Sequence, residues 1–399
     1  MQTELTKEYE NWDFSARQQS QLNWYAETDA PTGIPVIDLA ILRGAAGSAQ
    51  RQQALDALRG AITESGFFYV KNFGISEDEI EVISNATRSF FGQPEEYKQA
   101  FNRYKQIRGY TGYRFESTAR LFGTGQGKDL CMKYTMGPEL SPEEVLERIT
   151  SEEDIASNAY SPNIFPDAEF RRIWVHYYQR VHHTSLELLE AMGEALNLSA
   201  ESRSVLSEAL IEKSCGELRF FQYPDVPLHA CADVPGNGID RMAAHFDIDV
   251  ITLLHQTPSE NGFISLEAKI GEDFVKIPAI RGTLIVNLGE VIRLLTGNLI
   301  KATVHRVVRP PQRQHLGSAR DVIVFFQAPP LNARLRPIWV EEGVVGRDTI
   351  FDELYQQAGE LGYVTFAKLR SRMFAEFIQH MEVADARHEA DAHLFSEIK

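Results

Sequence analysis

His245 and Asp247 stand one residue apart in the run His-Phe-Asp, His305 follows in "KATVHRVV", and Arg320 opens the apolar run "DVIVFF". Side chains one residue apart on a strand share a face of the sheet. A histidine and an aspartate so placed can hold one cation, and a histidine from a neighbouring strand can complete a face of three ligands. Two imidazoles and a carboxylate suit Fe(II) and leave about three coordination positions for oxygen and an organic acid. An arginine at a strand start can clamp a carboxylate by two parallel hydrogen bonds, which lysine does less well. Alone, His-x-Asp is a weak motif in a chain of 11 histidines, and a polar pair at a strand end is the plainer reading. With His305 and Arg320 added, the pattern points to a non-haem iron oxygenase.

Such a site needs strands, and the second half of the chain supplies them. From Leu218 to about Phe326 short apolar runs alternate with turns: "LRFFQY", "VITLLHQ", "GFISLEAKI", "DFVKIPA", "GTLIVNLG", "KATVHRVV" and "DVIVFFQ". This rhythm predicts a β-sandwich or jelly roll. The first half reads as mixed. "GIPVIDLA" and "SGFFYVKNFGI" predict strands, while helical spacing runs over 50–64, 77–91 and 169–196. The expected organisation is a polar extension over 1–32, an oxygenase domain over 33–330 and a helical C-terminal segment over 331–399. Within the domain, a strand-and-helix part (33–217) precedes the β core (218–330). The acidic, proline-punctuated stretch 138–166 reads as a surface insertion with a short helix. A final helix is expected over 364–381, and the segment after Leu331 is a candidate lid.

The net charge of −16 among 399 residues argues against nonspecific binding to nucleic acid or an anionic membrane. Cys131, Cys215 and Cys231 form no disulfide framework or zinc pattern. The N-terminus is polar, without an apolar signal core, and no run of about 18 apolar residues occurs. The expectation is a cytoplasmic enzyme acting on a small molecule.

The segments "IPVIDL", "SGFFYVKNFGI" and "GTLIVNLGEVIRLLTGNLIKATVHRVV", with the order His-x-Asp, His, Arg, resemble the isopenicillin N synthase-like family of 2-oxoglutarate- and Fe(II)-dependent oxygenases. Three further stretches, 108–119, 218–227 and 241–271, resemble its bacterial penicillin ring-expanding branch, the deacetoxycephalosporin C synthases. The resemblance covers about residues 33–330. It implies a mainly β fold with flanking helices around a double-stranded β-helix, a cupin-like jelly roll. It also implies iron on His245, Asp247 and His305, and the 2-oxoglutarate C5 carboxylate on Arg320. Tyr223 is an implied cosubstrate contact. The implied chemistry couples decarboxylation of 2-oxoglutarate by O2, giving succinate, to oxidation of a substrate C–H bond. Hydroxylation, desaturation and ring formation or expansion all remain open.

Two departures matter. The family usually places a serine two residues after the arginine, where this chain has Val322. The ring-expanding enzymes read Leu-Arg-Phe-Arg-Tyr-Phe-Pro and turn both arginines to the penicillin; here Arg219 is kept and Phe221 replaces the second. A different and less anionic molecule of specialised or antibiotic metabolism is implied. Arg108, Arg219, Phe221 and Met242 are the expected substrate contacts, each with an alternative as an ion pair or core residue.

Two other functions fit the same motifs. An isopenicillin N synthase-like oxidase would need no 2-oxoglutarate, and Val322 favours it while Arg320 opposes it. A non-catalytic binding protein on the same fold has no need of an open iron site. The stretch "GTGQGKD" lacks the spacing of a phosphate loop and reads as a loop near the site. His176, His182 and His183 read as helix residues without a metal role. His255 is a weak candidate for the pocket, and His315 has no partner at ligand spacing.

Overall fold

The apolar alternation of the second half folds into two facing sheets, built in large part from the predicted runs. The structure, a computed structural model, describes residues 22–123, 127–198, 203, 214–226, 240–336, 350–376 and 378–379. Nine strands form the larger sheet: β1 (Val36–Asp38), β2 (Phe67–Lys71), β3 (Asn102–Arg103), β4 (Arg108–Thr111), β5 (Met132–Met136), β6 (Glu217–Tyr223), β8 (Ile251–Gln256), β11 (Thr283–Leu288) and β13 (Arg320–Gln327). Their order is β1-β2-β11-β8-β13-β6-β5-β4-β3. Four more, β7 (Met242–His245), β9 (Leu266–Ile270), β10 (Asp273–Lys276) and β12 (His305–Val307), form the smaller sheet in the order β10-β9-β12-β7. The pairing is antiparallel except between β1 and β2. This is the expected jelly roll.

Strand alternation divides the core in two. Phe68, Val70, Leu218, Phe220, Ile323 and Phe325 face the helices, where they meet Leu58, Ile83 and Trp174. Their neighbours Phe67, Tyr69, Phe221, Tyr223, Val322 and Val324 face inward and meet Leu266, Ala268 and Val307 of the small sheet. Three helices cover the outer face: α1 (Ala49–Gly60), α2 (Glu77–Phe91) and α3 (Ala168–Ala195). Helix α2 starts in a capping box, in which Ser76 Oγ accepts from Glu79 N and the Glu79 carboxylate accepts from Ser76 N. The Asp167 carboxylate caps α3 by accepting from Phe170 N.

Several expectations need correction. The helix expected over 50–64 is α-helical only to Gly60; it widens into a π-turn over Ala61–Ser65 and stops at Gly66, φ +67°. Strands β3, β4 and β5 were not expected, because they are short and carry charged residues. The acidic stretch holds two short helices, Pro142–Arg148 and Glu152–Ala156, rather than one. It is not wholly superficial: Ser157, Ala159 and Tyr160 are buried, and Ile164 O accepts from the Tyr134 hydroxyl. After Leu331, Val364–Thr365 pairs with Arg334–Leu335 before a helix runs over 366–376. The N-terminal extension to residue 21, Cys231 and the tail from 380 lie outside the described residues. Trp24 and Tyr25 pin the first described segment, the Tyr25 hydroxyl donating to Gly262 O and Trp24 packing on His255. No helix among the described residues is long and apolar enough to cross a membrane.

Candidate active site

His305 lies directly opposite His245 in the β12–β7 ladder, with ring centroids 4.3 Å apart. Each ring is turned by its own strand. His245 Nδ1 is 2.7 Å from Ala243 O and His305 Nδ1 is 3.2 Å from Thr303 O. A carbonyl only accepts, so each Nδ1 carries the proton and each Nε2 presents its lone pair. Asp247 is not on the strand as the spacing implied: β7 ends at His245, and the aspartate occupies the turn beyond it. Other bonds fix it there. Its Oδ2 accepts from Thr252 Oγ1 at 2.5 Å and from Asn287 Nδ2 at 2.6 Å. Its Oδ1 lies 4.0 Å from His245 Nε2 and 3.8 Å from His305 Nε2. One ligand atom from each residue therefore faces a common point, all within 4.8 Å of one another.

Close backbone approach builds this corner. A Cβ on Gly289 would sit 2.0 Å from Asp249 O, so only glycine lets the helix Glu290–Leu295 start against the 247–249 turn. Glu290 N then donates to Asp247 O at 2.7 Å. Gly66 does the same for the approach to His305, since a Cβ there would lie 2.3 Å from Thr303 Oγ1.

The electrostatics suit a cation. Burial pushes the His245 imidazole well below its ordinary pKa, and the neighbouring His305 adds to this. Burial would raise the Asp247 carboxyl, but the two imidazoles, Thr252 and Asn287 outweigh it and hold Asp247 below the usual range. Neutral imidazole and ionised carboxylate are the forms a metal binds.

A cavity of about 180 Å³ opens on His245 and Asp247. Of the expected substrate contacts, Arg219, Phe221 and Met242 line it and Arg108 does not. Arg108 is fully enclosed: its guanidinium pairs with Glu217 at 3.0 Å and donates to Ala159 O at 2.7 Å and Ser161 O at 3.2 Å. It is a structural ion pair that no bound molecule can reach. Residues the sequence reading missed complete the wall, among them Phe122, Lys133, Asp249, Phe326, Arg370 and Phe374. Phe122, beside residues 124–126 that lie outside the described set, packs its ring 5.8 Å from His245 and 5.3 Å from Phe246.

Arg320 begins β13 opposite Tyr223 and is buried. Its guanidinium lies over the Tyr223 ring at 5.1 Å and donates to Gln256 Oε1. The Tyr223 hydroxyl in turn lies 3.9 Å from Met242 Sδ, at the cavity wall. Arg320 thus stands behind Tyr223 and Met242, and its Nε meets no acceptor among the described residues. His255 faces the other way. It alternates with Leu254, which packs inward, and sits beside Trp24 on the outer face, so it is not a pocket residue. The helix histidines have ordinary partners, His176 with Glu79 at 3.0 Å and His182 with Gln327 at 2.9 Å, while His183 is largely exposed.

The family model for the non-haem dioxygenase N-terminal region, described from morphine synthesis, matches residues 34–168, and that of the 2OG-Fe(II) oxygenase superfamily matches 215–329. A deacetoxycephalosporin C synthase of Amycolatopsis lactamdurans is 32% identical over 306 residues, 76% of this chain and 85% of the relative. The chain belongs to the 2OG-Fe(II) oxygenase superfamily. A deacetoxycephalosporin C hydroxylase of Streptomyces clavuligerus is 30% identical over 307 residues, 75% of this chain and 85% of that protein. Among solved structures, a full-length Neurospora crassa protein in complex with alpha-KG and 5-formyluracil matches with a TM-score of 0.66 at 21% identity. That match covers 88% of this chain and 99% of the Neurospora chain, and it shows the fold. As a member of the superfamily, the chain is a 2-oxoglutarate-dependent dioxygenase that uses Fe(II), 2-oxoglutarate and O2, with its metal site at His245, Asp247 and His305.

Proposed function

We propose that this chain oxidises a C–H bond of a small, weakly charged molecule of specialised metabolism, with Arg320 holding the C5 carboxylate of 2-oxoglutarate. The observation that carries the cosubstrate site is a buried guanidinium with no carboxylate partner among the described residues, placed behind the cavity that opens on the metal ligands. Buried charges are ordinarily paired, and a dicarboxylate chelating the metal at one end supplies the missing anion at the other. Tyr223 lies under the arginine, and its hydroxyl lies 3.9 Å from Met242 Sδ, which lines that cavity.

When bound, the iron and 2-oxoglutarate supply the oxidising chemistry. The protein's residues orient and enclose. Thr252 and Asn287 fix the carboxylate ligand, the Ala243 and Thr303 carbonyls fix the imidazoles, and Phe122, Phe221, Phe326 and Phe374 keep water from the substrate.

The walls support the substrate class. Lys133 is tied to Glu116, Arg219 to Glu217 at 2.6 Å and Arg370 to Glu217 at 2.5 Å. Each wall cation therefore has an internal anion, and aromatic rings make up much of the remainder. An apolar body suits this cavity better than a second strong anion. The cephalosporin-pathway names of the relatives support an antibiotic-type substrate and a hydroxylation or ring reaction. Cys131 and Cys215 are buried free thiols, which supports a reducing, cytoplasmic setting, and the net charge supports action without nucleic acid or membrane.

The test is anaerobic Fe(II) titration with 2-oxoglutarate, following the visible charge-transfer band of the chelate. A band that needs iron and weakens in Arg320→Ala is the expected result. Tight iron binding with no band would instead favour the cosubstrate-free oxidase.

A further inference from the structure

Arg320 is not the only buried cation at its end of the barrel. Arg241 immediately precedes β7, the strand that carries His245, and is 0% exposed. Tyr223 and Arg320 form the terminal pair of the β6–β13 ladder, beyond which the chains part at Pro224 and Ser318. The Arg241 guanidinium spans that gap. Nη1 donates to Ser318 O at 3.0 Å, while Nη2 donates to Ser318 Oγ at 2.7 Å and to Pro224 O at 3.1 Å. All three acceptors are neutral. The Nε of Arg241, like that of Arg320, meets no acceptor among the described residues, and neither guanidinium forms an ion pair with a described carboxylate.

The carboxylates nearest them are engaged elsewhere, Asp225 by the Gly317 and Ala319 amides and Asp321 by Arg88. Two like charges buried together without an ion-pair partner make an unfavourable arrangement unless a ligand completes it. We infer that Arg241 is a positioning residue of the 2-oxoglutarate site: it braces the start of β13 that carries Arg320 and adds a second positive charge facing the C5 carboxylate. The inference rests on the reading of Arg320 given above. It also accounts for Val322, which is 2% exposed and stands where the family usually offers a serine hydroxyl. Here charge would take over part of the hydroxyl's work. The electrostatics agree with the geometry. Burial pushes Arg241 down to about 10, and the neighbouring Arg320 contributes to the fall. Burial brings Arg320 to about 10 as well.

The experiment uses the full chain with Fe(II) under anaerobic conditions and two probes, 2-oxoglutarate and 2-oxobutanoate. Both chelate iron through a 2-oxo acid head, but only 2-oxoglutarate has the distal carboxylate. In Arg241→Gln the Kd for 2-oxoglutarate should rise about tenfold while that for 2-oxobutanoate holds. Arg241→Lys should recover much of the loss, and Val322→Ser should help more in the Gln background than in the wild type. An equal loss for both acids, or no change in either, would overturn the inference.

A second measurement leaves Arg241 untouched. Arg320→Ala should keep a several-fold preference for 2-oxoglutarate over 2-oxobutanoate, supplied by Arg241, and disappearance of all preference would count against the inference. A wild-type band that weakens in Arg320→Ala but not in Arg241→Gln would overturn this inference alone. No wild-type band would overturn it together with the reading of Arg320.

Discussion

The two oxygens of Asp247 are assigned different work by their neighbours. Oδ2 is committed to Thr252 and Asn287, which leaves Oδ1 to the metal. Replacing both donors, as Thr252→Val with Asn287→Leu, should lower Fe(II) affinity by about 10- to 100-fold, the usual effect of losing groups that orient a ligand. Anaerobic metal titration with circular dichroism as a fold control measures this; unchanged affinity would show that the aspartate needs no support. His255 carries a pH prediction. Burial holds it at about 4 against an ordinary 6.5, with Arg88 adding to the shift. Between those values the unfolded chain binds a proton that the folded one does not, so stability falls as pH drops from 6.5 towards 4. The loss is at most about 3 kcal/mol. Urea midpoints of wild type and His255→Asn across that window should converge on acidification. The ligand residues were legible because chemistry restricts their types and spacing. Asn287 could have been noticed as an amide inside the apolar run "TLIVNL". Arg370 could not, since nothing local links a residue of the C-terminal segment to Glu217.

At the scale of elements, the sequence was readable where one period dominates. Helix α2 has a capping signal and an apolar stripe, and it spans 77–91 as the spacing indicates. The short apolar runs that became β6, β8, β11 and β13, each bounded by turns, likewise exposed the jelly roll. Strands β3 to β5 were hidden because "NR", "RGYT" and "MKYTM" mix charge with β-formers, and their pairing depends on partners far along the chain. The turn that carries Asp247 was read as strand for a similar reason: what stops β7 is the helix beginning at Glu290, which is remote in sequence. Gly289→Ala tests that junction. The backbone there, φ −98°, suits alanine, so any damage is steric contact with Asp249 O. The expected outcome is a loss of about 2 kcal/mol or more by urea denaturation, with weakened iron binding. Wild-type iron affinity in this variant would mean the turn can move without disturbing Asp247.

Across the whole molecule, the C-terminal segment is tied to the cavity through one buried cluster. The Glu217 carboxylate receives Arg108, Arg219 and Arg370, and burial notwithstanding, these three guanidinia keep it far below the ordinary range. Arg370 also donates to Ser157 O, so the same residue joins the acidic 138–166 stretch, the sheet and the C-terminal helix. Removing one partner of a buried ion cluster costs about 3–5 kcal/mol. Arg370→Met should therefore destabilise the fold by an amount in that range. It should also raise the share of 2-oxoglutarate consumed without substrate oxidation, measured as succinate against product. Unaltered coupling in this variant, and in a chain ended after Leu331, would remove the lid reading of the segment.

The direct pairing of His245 with His305 has a consequence for how the chain reaches this fold. Side chains flip face with each single-residue slip of a strand. A β7–β12 ladder misaligned by one position would send one imidazole to the wrong side, and the pair would no longer share a cation. Iron uptake is thus a proofreader of strand alignment: during refolding, only molecules with the correct register should be captured and held by the metal.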